Sequence, residues 1–119
     1  MSQYFYKILD EEPPRSLPQK LPESQLDAQD GFIHLSTAMQ IPITADLFFS
    51  TVGTIHLLKL RVRDLDGDIK YDEAVGPGCP HLHNSKNGLG KNNVVDVLTI
   101  QKEQYSTWAE VPALQELED

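Results

Sequence analysis

The chain has 119 residues, which fits a single domain over residues 1–119, and its 39% hydrophobic and 24% charged residues are typical of a globular protein. The net charge of −8 argues against nucleic acid as a partner, because binding a phosphate backbone needs many Lys and Arg contacts. The single cysteine, Cys79, excludes an internal disulfide and a CxxC motif. Without a signal-peptide pattern or an apolar run of about 18 residues, we expect a cytoplasmic protein that does not bind membranes.

The first half of the chain predicts one strand, a loop and two helical segments. Residues 4–9 are aromatic and apolar and predict a strand, and the four prolines within residues 10–22 predict a proline-rich loop. Ser24 can cap a short helical turn. Residues 37–50 predict a helical segment that restarts with Pro42 in its first turn, and its expected core anchors are Leu47, Phe48 and Phe49.

The second half of the chain predicts strands, an acidic turn and a loop that could line a binding site. Residues 54–62 are almost continuously apolar, which indicates a central strand, and residues 64–68 are interpreted as a solvated acidic turn. Further strands are predicted at residues 69–74 and 93–101, and the Asn- and Gly-rich residues 84–93 between them predict a loop. The tail should pack through Trp108 and end in frayed acidic residues.

These elements favour an α+β fold, because strands occur at both ends and there is no regular alternation of strands with long helices. The predicted helical segments are few and short.

The most informative stretch of the sequence is residues 30–37, Asp-Gly-Phe-Ile-His-Leu-Ser-Thr. In an extended strand, the side chains of His34 and Ser36 point to the same face. Thr37 and Gln40 match a capping box at the helix start that follows. The backbone N–H groups of Thr37 and Ala38 could therefore donate to an anion.

This stretch, together with later motifs, resembles the domain of unknown function 952 family (DUF952). The resemblance extends over nearly the whole chain, and its most specific part is the string at residues 30–38. It continues in a Lys-aromatic-x-Glu element that ends at Glu73, and in a Pro-His-Leu element that contains His81. Two departures from the family pattern are an inserted Asp72 and a longer loop after His83.

The resemblance implies a fold similar to that of the ADP-ribosyltransferases, whose enzymes bind NAD in a cleft between two small sheets. The architecture it implies is two small mixed or antiparallel sheets around a cleft, with a few short helices. We therefore expect a cleft for a nucleotide-type or small anionic ligand, and NAD or a related nucleotide as a possible cofactor of glycosyl (ADP-ribosyl) transfer. The expected roles are catalytic for Glu73 and His81 and ligand-binding for the remaining candidates, which are His34, Ser36, Thr37, Ala38 and His83.

Two alternatives remain open. The first is a non-catalytic protein that binds a small metabolite, in which no carboxylate lies within reach of the ligand. The second is a metal site in which His81 and His83 act together with His34, since three imidazoles suit zinc with an open position. A nucleophilic role for Cys79 is a weaker hypothesis, because nothing in the sequence indicates an acidified thiol.

Overall fold

Short strands and short helical segments follow one another along the chain. The structure is a computed structural model that describes residues 2–72 and 78–119. Its strands are Tyr4–Leu9 (β1), Ile33–His34 (β2), Thr54–Arg61 (β3), Asp68–Asp72 (β4), Cys79–His83 (β5) and Val94–Gln101 (β6). Its α-helices are Gln25–Asp30 (α1), Ile41–Phe48 (α2) and Pro112–Gln115 (α3), and its 3-10 turns are Ala38–Gln40, Val62–Asp64 and Trp108–Glu110.

In the described residues the six strands form two three-stranded antiparallel sheets. The first sheet has the order β1-β3-β6, and the second has the order β2-β5-β4. The α+β class, the small antiparallel sheets and the short helices predicted from the sequence are confirmed. Among the described residues, no helix has the length and apolar character needed to cross a bilayer.

β3 is buried on both faces, which explains its nearly continuous apolar sequence. Ile55 and Leu57 pack against the helical segments and Trp108, whereas Leu58 and Leu60 pack toward the second sheet. The helices α2 and α3 and the second sheet therefore cover opposite faces of the first sheet. The predicted central position of this strand is confirmed.

The helical region after β2 begins and restarts as predicted, but the residues that it buries differ from the predicted core anchors. Gln40 Oε1 accepts a hydrogen bond from the Thr37 backbone N–H at 3.0 Å in the capping box, and Pro42 lies in the first turn of α2. Ile41 and Ala45, one helical turn apart, face the core. Leu47 and Phe48 lie on the outside with 64% and 69% exposure, so only Phe49 of the three predicted anchors packs against the core.

The acidic turn after β3 organises the neighbouring loop, whereas the sequence predicted only a solvated turn. The Asp66 carboxylate accepts hydrogen bonds from the Ser85 hydroxyl and from the backbone N–H groups of Lys86 and Asn87. These bonds, led by that from Ser85, hold the pKa of Asp66 below its usual value. The loop of residues 84–93 is therefore fixed at its start.

The proline-rich loop lies against this second loop. The Leu21 N–H donates to the Leu89 carbonyl at 2.7 Å, and the Lys91 N–H donates to the Pro18 carbonyl at 3.0 Å. Gly90 is required at this contact, because a Cβ there would lie 1.9 Å from the Gln19 carbonyl oxygen. The two loops thus close one end of the space between the sheets.

The C-terminal residues make hydrogen bonds to β1 and to Ser2. The Tyr6 hydroxyl donates to the Glu118 carbonyl at 2.7 Å, and the Ser2 hydroxyl donates to the Asp119 carboxylate at 2.7 Å. Burial, with the nearby Glu118 carboxylate, raises the pKa of Tyr6 to about 12. The composition of this acidic end does not reveal these contacts, and its fraying stays a prediction.

Candidate functional site

The second sheet has one apolar face and one polar face. Antiparallel pairing places Ile33 opposite Leu82 and His34 opposite His81, and paired residues project to the same side of a sheet. Ile33 and Leu82 belong to the core between the two sheets. His34 and His81 therefore project to the other side, together with Lys70, which pairs with His81 from β4.

Three imidazole rings surround one phenyl ring on this polar face. The Phe32 centroid lies 4.7 Å from that of His34, 4.5 Å from that of His81 and 4.7 Å from that of His83. The rings of His34 and His81 meet edge-on at 5.1 Å. We call Phe32, His34, Lys70, His81 and His83 the imidazole face.

A buried carboxylate fixes the orientation of His34. Asp27 is 3% exposed, and its Oδ1 accepts hydrogen bonds from His34 Nδ1–H at 2.7 Å and from the His34 backbone N–H at 3.2 Å. Its Oδ2 accepts a hydrogen bond from Lys7 Nζ at 2.7 Å. The Lys7 ammonium also donates to the His34 carbonyl at 3.1 Å. The Asp27 carboxylate thus joins β1 to β2 through α1.

Local backbone structure explains how Asp27 reaches this position. The Ser24 hydroxyl caps α1 by accepting a hydrogen bond from the Asp27 N–H at 3.1 Å. The helix ends at Gly31, whose φ of 78° lies in the left-handed region that glycine adopts without strain. This turn directs the chain back along α1, so that β2 passes the buried side of Asp27.

Burial and charge act in opposite directions on this ion pair. Burial tends to raise the pKa of Asp27, but the charge and hydrogen bond of Lys7, with the bonds from His34, hold it below its usual value. Burial lowers the pKa of Lys7, an effect that the Asp27 carboxylate only partly offsets. Asp27 is therefore a fixed acceptor behind the His34 ring.

A second carboxylate lies at the other nitrogen of the His34 ring. His34 Nε2 is 3.1 Å from the Asp30 carboxylate, which is about one-third exposed. Both ring nitrogens can donate at once only if the imidazole is protonated. A ligand phosphate that took the place of Asp30 would therefore meet a donor already oriented from behind by Asp27.

Comparisons with known proteins place this chain in a family. The sequence model of a protein family described as "Protein of unknown function (DUF952)" matches residues 15–97. The chain belongs to the DUF952 family. None of the curated proteins matches this chain.

The DUF952 chain is also similar to solved structures of protein CC0527 from Caulobacter crescentus. The crystal structure of that protein is 26% identical, with a TM-score of 0.66, and the match covers 87% of this chain and 91% of that one. A double mutant of CC0527 gives 25% identity and a TM-score of 0.65 at the same coverage. The similarity supports the fold over most of the chain.

The structure brings together three of the residues predicted for the site of this DUF952 chain. His34, His81 and His83 share the imidazole face. Glu73, the predicted catalytic carboxylate, lies outside the described residues. Cys79 is a half-buried free thiol at the start of β5.

The residues predicted to bind an anion at the helix start have contacts of their own. Ser36 is buried, its hydroxyl contacts that of Thr44 at 3.4 Å, and its backbone pairs with Tyr6. The Thr37 N–H is donated to Gln40 in the capping box, and the Ala38 side chain packs in the helical core. The ligand-binding roles of Ser36, Thr37 and Ala38 stay predictions, and the imidazole face is defined without them.

The described residues contain no cluster of three His, Cys, Asp or Glu side chains that could hold a metal ion. The Phe32 ring provides the physical reason, since it packs within 4.7 Å of the His34, His81 and His83 rings. The geometry does not support the hypothesis of a zinc site at these imidazoles.

The ion pair between Lys7 and Asp27 that supports this site was not predicted from the sequence. Lys7 interrupts the apolar pattern of β1 at a position whose neighbours Phe5 and Leu9 face the core. A lysine at such a position predicts a buried partner carboxylate, since a buried unpaired ammonium is costly. That signal points to an acidic residue near β1, but it does not identify Asp27 among 18 acidic residues.

Proposed function

We propose that the imidazole face binds a small anionic ligand of nucleotide type. One observation supports this most strongly: His34, His81 and His83 surround Phe32 on a strand face that also carries the exposed Lys70. The buried Asp27 carboxylate orients the first of these rings.

Each part of a nucleotide has a matching group on this face. A base can stack on phenyl and imidazole rings, a contact that tolerates any base. A phosphate can accept hydrogen bonds from a protonated imidazole and from the Lys70 ammonium. The face thus offers cationic and aromatic groups on a chain whose net charge is −8.

We further propose an ADP-ribosyltransferase-like fold, with NAD as the ligand and glycosyl (ADP-ribosyl) transfer as the reaction. The two small antiparallel sheets and the residue string at 30–38 support this proposal. His81 would act as general acid or base, because an imidazole can both donate and accept a proton, and His34 would hold ribose or phosphate oxygens. Glu73 would stabilise the positive charge that develops on the ribose. A cytoplasmic location fits the free thiol of Cys79.

Calorimetry with NAD, ADP-ribose and inorganic phosphate tests binding at this face. His34→Ala is expected to weaken nucleotide binding at least about tenfold, because a hydrogen bond to a charged group contributes about 1.5–3 kcal/mol. His56→Gln is the matched control, since His56 lies in the first sheet, where its Nδ1 contacts the Thr99 hydroxyl at 3.0 Å. Equal affinities of a folded His34→Ala variant and the wild type would contradict the proposal.

An assay for free nicotinamide separates an enzyme from a binding protein. Incubation with NAD should release nicotinamide if transfer or hydrolysis occurs, and His81→Ala should reduce the rate while His56→Gln leaves it unchanged. NAD binding without release would instead favour the non-catalytic alternative, in which the protein only binds a small metabolite.

A further inference from the structure

A cavity of about 300 Å³ lies on the side of β2 opposite the imidazole face. Its walls come from β1, β3, α1, the proline-rich loop and the loop of residues 84–93. Ile33 lines this cavity, whereas His34, the next residue, projects to the other side of the strand. The cavity is therefore a space distinct from the proposed nucleotide site.

The inner wall of the cavity is apolar and its outer rim is acidic. Leucine and isoleucine side chains form the inner wall, namely Leu9, Leu21, Ile33, Leu58 and Leu89. Exposed carboxylates from the proline-rich loop and its C-terminal end form the rim, namely Asp10, Glu11, Glu12 and Glu23. Such a cavity favours a ligand with an apolar body and disfavours an anion at its entrance.

Lys7 lines this cavity, and its Nζ atom lies 2.7 Å from the Asp27 carboxylate. Lys7 is 8% exposed, and Asp27 also lines the cavity. Desolvation of a lysine in an apolar site is one way in which proteins activate an amine to attack carbonyl groups. Burial lowers the pKa of Lys7, which increases the fraction present as the reactive free amine.

We propose that Lys7 condenses with a small uncharged aldehyde or ketone in this cavity to form a Schiff base paired with Asp27. The Lys7 ammonium first gives one proton to solvent. The free amine then attacks the carbonyl carbon, and transfer of a proton from nitrogen to oxygen gives a carbinolamine. The hydroxyl group then takes a proton from solvent and leaves as water, while Asp27 stays ionised.

The product is a protonated Schiff base and one molecule of water, so the reaction needs no oxidant or reductant. The iminium retains the positive charge of the ammonium and stays opposite the Asp27 carboxylate, which keeps the buried ion pair balanced. The apolar wall limits access of water, the reactant that would hydrolyse the product.

The size of the cavity and its charge define the ligand class. A volume of about 300 Å³ holds about ten non-hydrogen atoms, if each occupies about the 30 Å³ of a water molecule. The acidic rim disfavours carbonyl compounds that carry a carboxylate or phosphate. Small uncharged aromatic or aliphatic aldehydes fit both conditions.

Reductive trapping on the wild-type protein tests the proposal. Benzaldehyde and sodium cyanoborohydride at pH 7 convert each Schiff base into a stable benzyl amine, which peptide mapping by mass spectrometry assigns to a residue. Lys7 is expected to be labelled more than the mean of the other six lysines, because burial lowers its pKa and so raises its free-amine fraction. Labelling of Lys7 at or below that mean would overturn the proposal.

Two further comparisons test the site and the ligand class. Leu21→Trp places a large ring in the cavity and should abolish the excess labelling of Lys7, whereas Leu117→Trp, in a separate cavity under the C-terminal end, should leave it unchanged. Glyoxylate, an anionic aldehyde, should label Lys7 less than benzaldehyde does. Equal labelling by the two aldehydes, or retained excess labelling in Leu21→Trp, would contradict the assignment to this cavity.

Discussion

Asp27→Asn is expected to lower the free energy of unfolding by about 3–5 kcal/mol, because it leaves the Lys7 ammonium buried without a counter-charge. Lys7 and Asp27 are 8% and 3% exposed, and their charged atoms lie 2.7 Å apart. Asparagine has nearly the shape of aspartate, so the decrease in stability reports the missing charge and not a cavity. Urea denaturation followed by circular dichroism measures the free energy of unfolding of both proteins.

Two variants separate this ion pair from other causes. Lys7→Met in the Asp27→Asn background should recover most of the stability, because it removes the unpaired charge. Asp30→Asn, at the exposed carboxylate near His34, should cost less than about 1 kcal/mol. Similar losses in Asp27→Asn and Asp30→Asn would show that the buried pair has no special role.

Acid should reduce the difference between the wild type and Asp27→Asn. The pKa of Asp27 in the folded protein lies below the usual 3.8, so the charged carboxylate stabilises the fold above about pH 4. That contribution is lost as the pH falls through the lowered pKa of the folded state. The two unfolding free energies should therefore converge in acid and stay apart near pH 7.

Trp108→Ala is expected to lower the free energy of unfolding by about 3–5 kcal/mol, the usual cost of removing a large buried ring. Trp108 is fully buried against Ile41, Ala45 and Leu57, and its Nε1–H donates to the Phe49 carbonyl at 2.8 Å. A domain is stable by only about 5–15 kcal/mol, so this variant should show a clear decrease in the urea midpoint.

The exposed ring of Phe48 provides the matched control for Trp108. Phe48→Ala should change stability by less than about 0.5 kcal/mol, since 69% of this residue is exposed. The loss of stability in Trp108→Phe should lie between those of Phe48→Ala and Trp108→Ala, because phenylalanine keeps a ring in the core but removes the donor to the Phe49 carbonyl. A larger loss for Phe48→Ala than for Trp108→Ala would contradict the packing described above.

Local patterns predicted much of this fold. The period-two and continuous apolar patterns identified β1, β3 and β6, and the Thr37 and Gln40 capping box with Pro42 identified the interrupted helical region. Each of these signals arises within a few residues of the element that it specifies. The order of strands within each sheet depends on distant contacts and was not predicted beyond the central position of β3.

The error at the helix has a physical cause. Leu47 and Phe48 are as hydrophobic as Ile41, but only the helix rotation relative to the first sheet decides which face is buried. The contacts of the acidic end with Tyr6 and Lys59 of the first sheet were likewise not predicted. Both features depend on tertiary contacts that hydrophobicity and charge along the chain do not encode.

The candidate site was also predicted only in part, because some of its residues meet through tertiary contacts. The string at residues 30–37 singled out His34, and the His-x-His spacing singled out His81 and His83, which the structure brings together around Phe32. The pair of Asp27 and Lys7 was not predicted, because the two residues are 20 positions apart and meet only in the folded chain.

Binding of a nucleotide-type ligand at the imidazole face can be observed directly by nuclear magnetic resonance. The experiment records ¹H–¹⁵N spectra of the four histidine rings during a titration with ADP-ribose. We expect the ring signals of His34, His81 and His83 to shift together and to saturate, while those of His56 in the first sheet stay in place. Shifts of equal size in all four histidines, or none in the three rings around Phe32, would contradict the claim.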